Sequence, residues 1–228
     1  MNYINKITLF FFLLLGFQLS AKDYIATEFG VKNDGLTLNT CSIQKAIDFI
    51  HEHGGGRLVF ESGNYVTGSI YLKSNVTLQL DYGATILGST NPFDYVKDKK
   101  IGWMSMIFAV NQENIGITGK GIINGRGFIT ANNMVNYIHR GVYTDPLKYD
   151  RPNETNRPQN IYFRECTNIK IIDITLKDPA SWNQTYDQCK NLYVDHITVD
   201  SKSYWNNDGI DVVDCDGVVI KNSYFDAA

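Results

Sequence analysis

An excess of positive charge is missing from this chain of 228 residues: 21 Lys plus Arg stand against 24 Asp plus Glu, for a net charge of −3. That leaves no basic field to draw in nucleic acid or an anionic membrane, so neither is expected as a partner. Long apolar runs are missing too, with one exception at the start, and no later stretch could span a bilayer. Cysteine and histidine are scarce, with four of each. What remains, 43% hydrophobic and 20% charged residues, is the composition of an ordinary globular chain with one sizeable core.

The exception is the apolar run Ile7 to Phe17, preceded by Lys6 and followed by Leu19-Ser20-Ala21. A membrane-spanning helix needs roughly 18 apolar residues, so this shorter run reads as a secretory signal peptide over residues 1–21. Cleavage after Ala21 would leave no membrane anchor, and the mature protein, residues 22–228, is expected to be exported to the periplasm or secreted.

An even number of cysteines in an exported chain suggests disulfides. Their context favours another reading. Cys166-Thr-Asn168-Ile-Lys-Ile171, Cys189-Lys-Asn191-Leu-Tyr-Val194 and Cys215-Asp-Gly217-Val-Val-Ile220 share one pattern, spaced by 23 and 26 residues. Ile174-Thr-Leu176, Ile197-Thr-Val199 and Ser223-Tyr-Phe225 follow in the same register. Such a repeat, built of short alternating strands between Asn, Asp, Gly and Lys turns, excludes helical solenoids. Leu is not the recurrent core residue, which sets leucine-rich repeats aside. The fold expected is all-β, a right-handed parallel β-helix, with equivalent residues stacked about 4.8 Å apart and the three cysteines as small internal fillers.

Asn75-Val-Thr-Leu78 and Asn114-Ile-Gly-Ile117 read as earlier, less regular coils, with Gly116, Gly119, Gly121, Gly125 and Gly127 at tight corners. Gly119-Lys-Gly-Ile-Ile-Asn-Gly125 lacks both the spacing and the following helix of a nucleotide-binding loop. Ile43, Ala46, Ile47 and Ile50 fall at helical spacing and predict an N-terminal capping helix, started by Asn39 or Thr40 and ended by Gly54-Gly55-Gly56. It would cover the open strand edge of the first coil. Between Phe128 and Gln159 the β pattern lapses into a long irregular excursion with Arg140, Arg151, Arg157, Tyr137, Tyr143 and Tyr149, suited either to packing on the solenoid or to holding an acidic saccharide.

Gly30-Val-Lys-Asn-Asp-Gly35 with its helix, Leu72-Lys-Ser-Asn-Val-Thr-Leu78, Gly119 to Gly125, Arg157-Pro158, Pro179-Ala-Ser-Trp182 and Asn206-Asn-Asp-Gly-Ile-Asp211 together resemble family 28 glycoside hydrolases, the polygalacturonases. The resemblance spans nearly all of the mature chain, and its most specific part is Asn206 to Asp211. It implies inverting hydrolysis of α-1,4-galacturonosyl linkages in a pectic polysaccharide or oligogalacturonide, with no metal and no cofactor. The family's Asn-Thr-Asp motif is matched by Asn206-Asn207-Asp208, with Asn207 in place of Thr. By that match Asp208 is the catalytic residue that activates water, and Asn206 a substrate-binding residue. An acid from the next coil would protonate the leaving oxygen.

That next coil is expected at or just past Ala228, so the chain is expected to be truncated before its C-terminal coils and inactive as it stands. The family's Gly-His-Gly and Arg-x-Lys segments have no counterpart, and His51, His53, His139 and His196 read as helix, loop and strand residues. Asn-Asp-Gly is also ordinary turn chemistry. Asp211, three residues from Asp208, is expected to face the other side of a strand and carries no role. Asn183-Gln184-Thr185 after Trp182 lacks the His often found there, which keeps a rhamnogalacturonan hydrolase or an exo-acting enzyme open. A Ca²⁺-dependent lyase and a non-catalytic carbohydrate-binding β-helix are the readings from other classes.

Overall fold

A computed structural model describes residues 22–145 and 151–228. The signal-peptide expectation for residues 1–21, and Tyr149 of the excursion, lie outside the described residues. The described chain winds into a right-handed parallel β-helix of three sheets, visited in a fixed order on every full coil. A first sheet stacks seven strands from Asp23–Ile25 to Asp216–Lys221. A second stacks seven from Asp34–Leu38 to Tyr224–Ala227, and a third stacks five from Ile70–Tyr71 to Asp211–Val213. All the pairings between these strands are parallel, the pattern that a period of 23 to 26 residues with alternating side chains produces.

Alternation puts one residue in two inside, and register turns those residues into columns. Leu78, Ile117, Ile171 and Val194 form one such column, continued by the exposed Ile220 of the last coil, and Ile86, Ile123, Leu176 and Val199 another, continued by the partly buried Phe225. Each fully buried aliphatic side chain contributes about 1.5–3 kcal/mol. The cysteines do stack inside: Cys166 and Cys189 are buried, Cys215 is half-buried, and the Cys189 amide donates to the Cys215 Sγ at 3.3 Å. All four cysteines carry free thiols.

Corners are made by single residues in the left-handed region. Asn75, Asn114, Asn168 and Asn191 share one corner at φ between 54° and 65°, and Gly217 takes the next place at φ 68°. Their side chains form a ladder: Asn114 donates to Asn75 at 2.9 Å, Asn168 to Asn114 at 3.0 Å and Asn191 to Asn168 at 2.9 Å. The ladder offsets the backbone strain. Asn168→Ala, which breaks two rungs and leaves a Cβ-bearing residue in that region, is expected to lose about 2 kcal/mol in urea unfolding. Asn168→Gly is expected to lose about 1 kcal/mol less, because only the rungs are lost.

The capping helix is α1, Thr40–Glu52, which buries Ile43, Ala46, Ile47 and Ile50 over the first coil. Asn39 stands at its start without capping it; its side chain instead holds Lys32 and Thr37. Three further expectations are corrected. The stretch after Phe128 is not irregular throughout, since α2 spans Gly127–His139 and buries Gly127, Thr130, Ala131 and Met134. Those four lie at helical spacing, masked in the sequence by Asn132, Asn133 and Asn136. Gly116 lies within strand Glu113–Thr118 rather than at a corner. His196 occupies a left-handed corner after strand Lys190–Asp195.

Candidate active site

The segment carrying Asp208 is the passage from strand Thr198–Ser201 of the second sheet into strand Asp211–Val213 of the third. Asn207 fixes it from below. Fully buried, its side chain accepts from the Tyr204 amide at 2.6 Å and the Ser203 hydroxyl at 3.3 Å, and donates to the carbonyls of Pro179 at 3.1 Å and Ser181 at 2.8 Å. An amide with two acceptor and two donor positions does this where a Thr hydroxyl could not make all four bonds.

Asn206, at φ 57°, is held from the other side. Its Oδ1 accepts from the guanidinium of Arg151 at 2.7 Å and from that of Arg157 at 2.7 Å. Arg157 is the largest fully buried side chain and also donates to the carbonyls of Pro152 (2.9 Å), Ala180 (2.6 Å) and Trp205 (2.7 Å). Burial lowers its pKa to about 10, so it stays a cation across the neutral range. The guanidinium of Arg151 lies 5.1 Å from the exposed Trp205 ring, and that of Arg157 5.3 Å from Tyr204.

Between these clamps Asp208 is exposed, and its carbonyl accepts the amide of Asn183 in the coil beneath at 2.8 Å. The preceding residue of that coil, Trp182, packs on Trp103 with ring centroids 4.5 Å apart. Outside the third sheet, Tyr71, Phe108, Tyr162, Thr185 and Asp211 form one column that ends beside Asp208. A half-buried indole pair thus lies one coil beneath the segment that carries the exposed Asp208.

Asp211 lies near enough to Asp208 to feel its charge. It lies on the outer face above Thr185, and its pKa is raised to about 6, first by burial and second by the Asp208 charge. Three residues of separation would oppose them on a straight strand, but the chain bends at Gly209 and the strand begins only at Asp211. A folded value above the unfolded one means that protonation favours the fold. This contribution is complete below about pH 4 and is lost as pH rises through about 6. Asp211→Asn removes that slope. With the side chain half open to solvent, the variant is expected to gain about 1 kcal/mol over the parent at pH 7 and nothing at pH 4, read by urea unfolding at both values.

Buried polar atoms without a partner gather here. Among the described residues they are found on Arg151, Gln159, Asn160, Ser181, Asn183, Ser201 and Asp211. All lie on the coils beneath and around Asp208, and such groups mark functional ground more often than ordinary core. The sequence pointed to Asp208, Asn206 and the arginines. It missed Trp103, which stands outside the repeated strands, and did not foresee that the Asp208 charge acts on Asp211.

Comparison with known proteins places these residues in context. The family model for glycosyl hydrolases family 28 matches residues 57–227. An exo-poly-α-D-galacturonosidase of Dickeya chrysanthemi is 29% identical over 88% of this chain and 40% of its own length. The solved family 28 exopolygalacturonase of Yersinia enterocolitica matches 91% of this chain and 43% of its own, with 25% identity and a TM-score of 0.77. A solved glycosyl hydrolase candidate from Parabacteroides merdae shares 38% identity over 91% of this chain and 87% of its own, with a TM-score of 0.81. The chain thus spans about two fifths of the curated relatives it matches first.

Proposed function

The chain belongs to glycosyl hydrolases family 28, and from that premise we propose that it carries the front half of the catalytic apparatus of a pectin-degrading hydrolase, with Asp208 activating the water that attacks a galacturonosyl linkage. The observation that carries this reading is the exposed Asp208 carboxyl, set on a segment that two arginines and a buried asparagine immobilise. A base has to be held still and yet open to water.

Inverting hydrolysis divides the work between two carboxyls roughly 6.5–9.5 Å apart. One coil rise of about 4.8 Å with a sideways offset supplies such a gap, so the acid partner belongs on the coil above Asp208. Residues around Asp208 suit an anionic sugar. Arg151 and Trp205 offer charge and stacking, and Asn206, tied to both arginines, orients Arg151 and so assists binding rather than contacting the sugar freely. Two similar proteins named as exo-acting favour release of residues from a chain end. The segment of residues 1–21, read as a signal peptide, supports export.

The test is reducing-sugar release and product size on polygalacturonate by the protein expressed from its full reading frame, with and without chelator, alongside its Asp208→Asn variant. New reducing ends that need Asp208 and survive the chelator support the reading. An unsaturated, chelator-sensitive product would replace it with a lyase, and binding of pectin without turnover would replace it with a carbohydrate-binding module.

A further inference from the structure

Asp211 has no role in the hydrolysis as described so far, yet its surroundings are unusual for a surface carboxylate. Its Oδ2 is closed off from solvent and has no hydrogen-bond partner. Thr185, the residue beneath it, gives its hydroxyl to Gln159 at 2.7 Å. Asp187, the next carboxylate on that face, is turned to Tyr162 at 3.3 Å and Arg164 at 3.6 Å. Asp208 is the charged group acting on Asp211.

An ionised carboxylate buried on one side calls for donors, and none is aimed at this one. A neutral carboxylic acid needs a single acceptor instead, and the Asp208 carboxylate, three residues earlier and near enough for its charge to act on Asp211, can supply it. On the reading of Asp208 as base, we propose that Asp211 is a positioning residue whose neutral carboxyl donates a hydrogen bond to the Asp208 carboxylate and holds it toward the attacking water. Burial supports the neutral form, which persists up to about pH 6. The Asp211 proton stays where it is during the reaction. The proton of the attacking water passes to Asp208, while the water oxygen forms the new bond to the anomeric carbon as the glycosidic C–O bond breaks and the leaving oxygen takes its proton from the acid on the coil above.

Three variants of the full-reading-frame protein test this. Asp211→Asn keeps a donor and cannot ionise. It is expected to hold kcat on polygalacturonate within about threefold at pH 5 and to move the high-pH decline upward by half a unit or more. Asp211→Leu removes the donor and is expected to lower kcat about ten- to a hundredfold with KM nearly unchanged. Because the leucine variant has a fold to keep, ¹³C-carboxyl titration of Asp211 is measured in parallel. The signal is expected to titrate well above ordinary carboxylates and to fall in Asp208→Asn. Parent kcat and pH profile in both Asp211 variants, equal losses in both, or an Asp211 titration indifferent to Asp208→Asn would overturn the proposal. A fully active Asp208→Asn would instead remove the reading on which it rests, whereas an inactive one beside a normal Asp211→Leu removes this inference alone.

Discussion

Asp208→Asn, in the protein made from the full reading frame, is expected to lower kcat on polygalacturonate by about 10³-fold, the range that losing a positioned general base covers. The change is nearly isosteric, and the Asp208 side chain is exposed. Its structural duty, accepting the Asn183 amide at 2.8 Å, belongs to the backbone carbonyl and survives. Stability is therefore expected to stay within about 0.5 kcal/mol of the parent, as for other surface substitutions. Loss of turnover with an unchanged unfolding curve is the signature of a chemical role. Loss of both would mean that Asn-Asp-Gly here is turn chemistry first, and retention of turnover would remove Asp208 from the mechanism. KM should change little, because a base acts on the water and contributes more to the transition state than to substrate binding.

Why the fold was legible and the site only partly so follows from where each gets its information. The columns of Ile171, Val194 and Ile220, and of Leu176, Val199 and Phe225, are written three times at nearly equal spacing, so the coil could be read directly. The same repetition exposed the stacked cysteines and the Asn168 to Asn191 corner. Asp208 was pointed to by a resemblance in one motif, helped by its place one coil above Trp182.

The influence of Asp208 on Asp211 was not legible because period-2 reasoning assumes a continuous strand, whereas the chain bends at Gly209 before it enters the sheet. Helix α2 was missed because its buried face is made of Gly127, Thr130, Ala131 and Met134, small or flexible residues that give a weak apolar stripe. The glycine there is required by space. A Cβ on Gly127 would stand 2.0 Å from the Pro179 carbonyl oxygen, so this helix start and the coil beneath it meet backbone to backbone. Trp103 and Trp182 come from a loop and a coil 79 positions apart, and only the wound chain brings them into contact.

Arg157→Ala is expected to be the most damaging single substitution around the site, with a loss of about 3–5 kcal/mol. The guanidinium reaches four acceptors drawn from separate segments, the carbonyls of Pro152, Ala180 and Trp205 and the side chain of Asn206. Deleting it removes the buried charge along with its bonds, so no uncompensated ion is left behind, but three carbonyls lose their donor inside a cavity the size of the side chain. Asn206 Oδ1 keeps Arg151 as a donor, which limits the loss at that end. Arg157→Lys retains the charge, but one ammonium cannot span a planar fork's acceptors, so about half the loss should remain. Neither penalty should vary between pH 5 and pH 8, because the parent side chain begins to titrate only near pH 10. Urea unfolding at the two pH values measures the size and the flatness together. Amide exchange at Asn206, Asn207 and Asp208 then reports whether the loosened segment is the one that carries the base: faster exchange there than in the Asn114 to Asn191 corner ties the arginine to the site, and equal exchange makes it a general fastening of the coil.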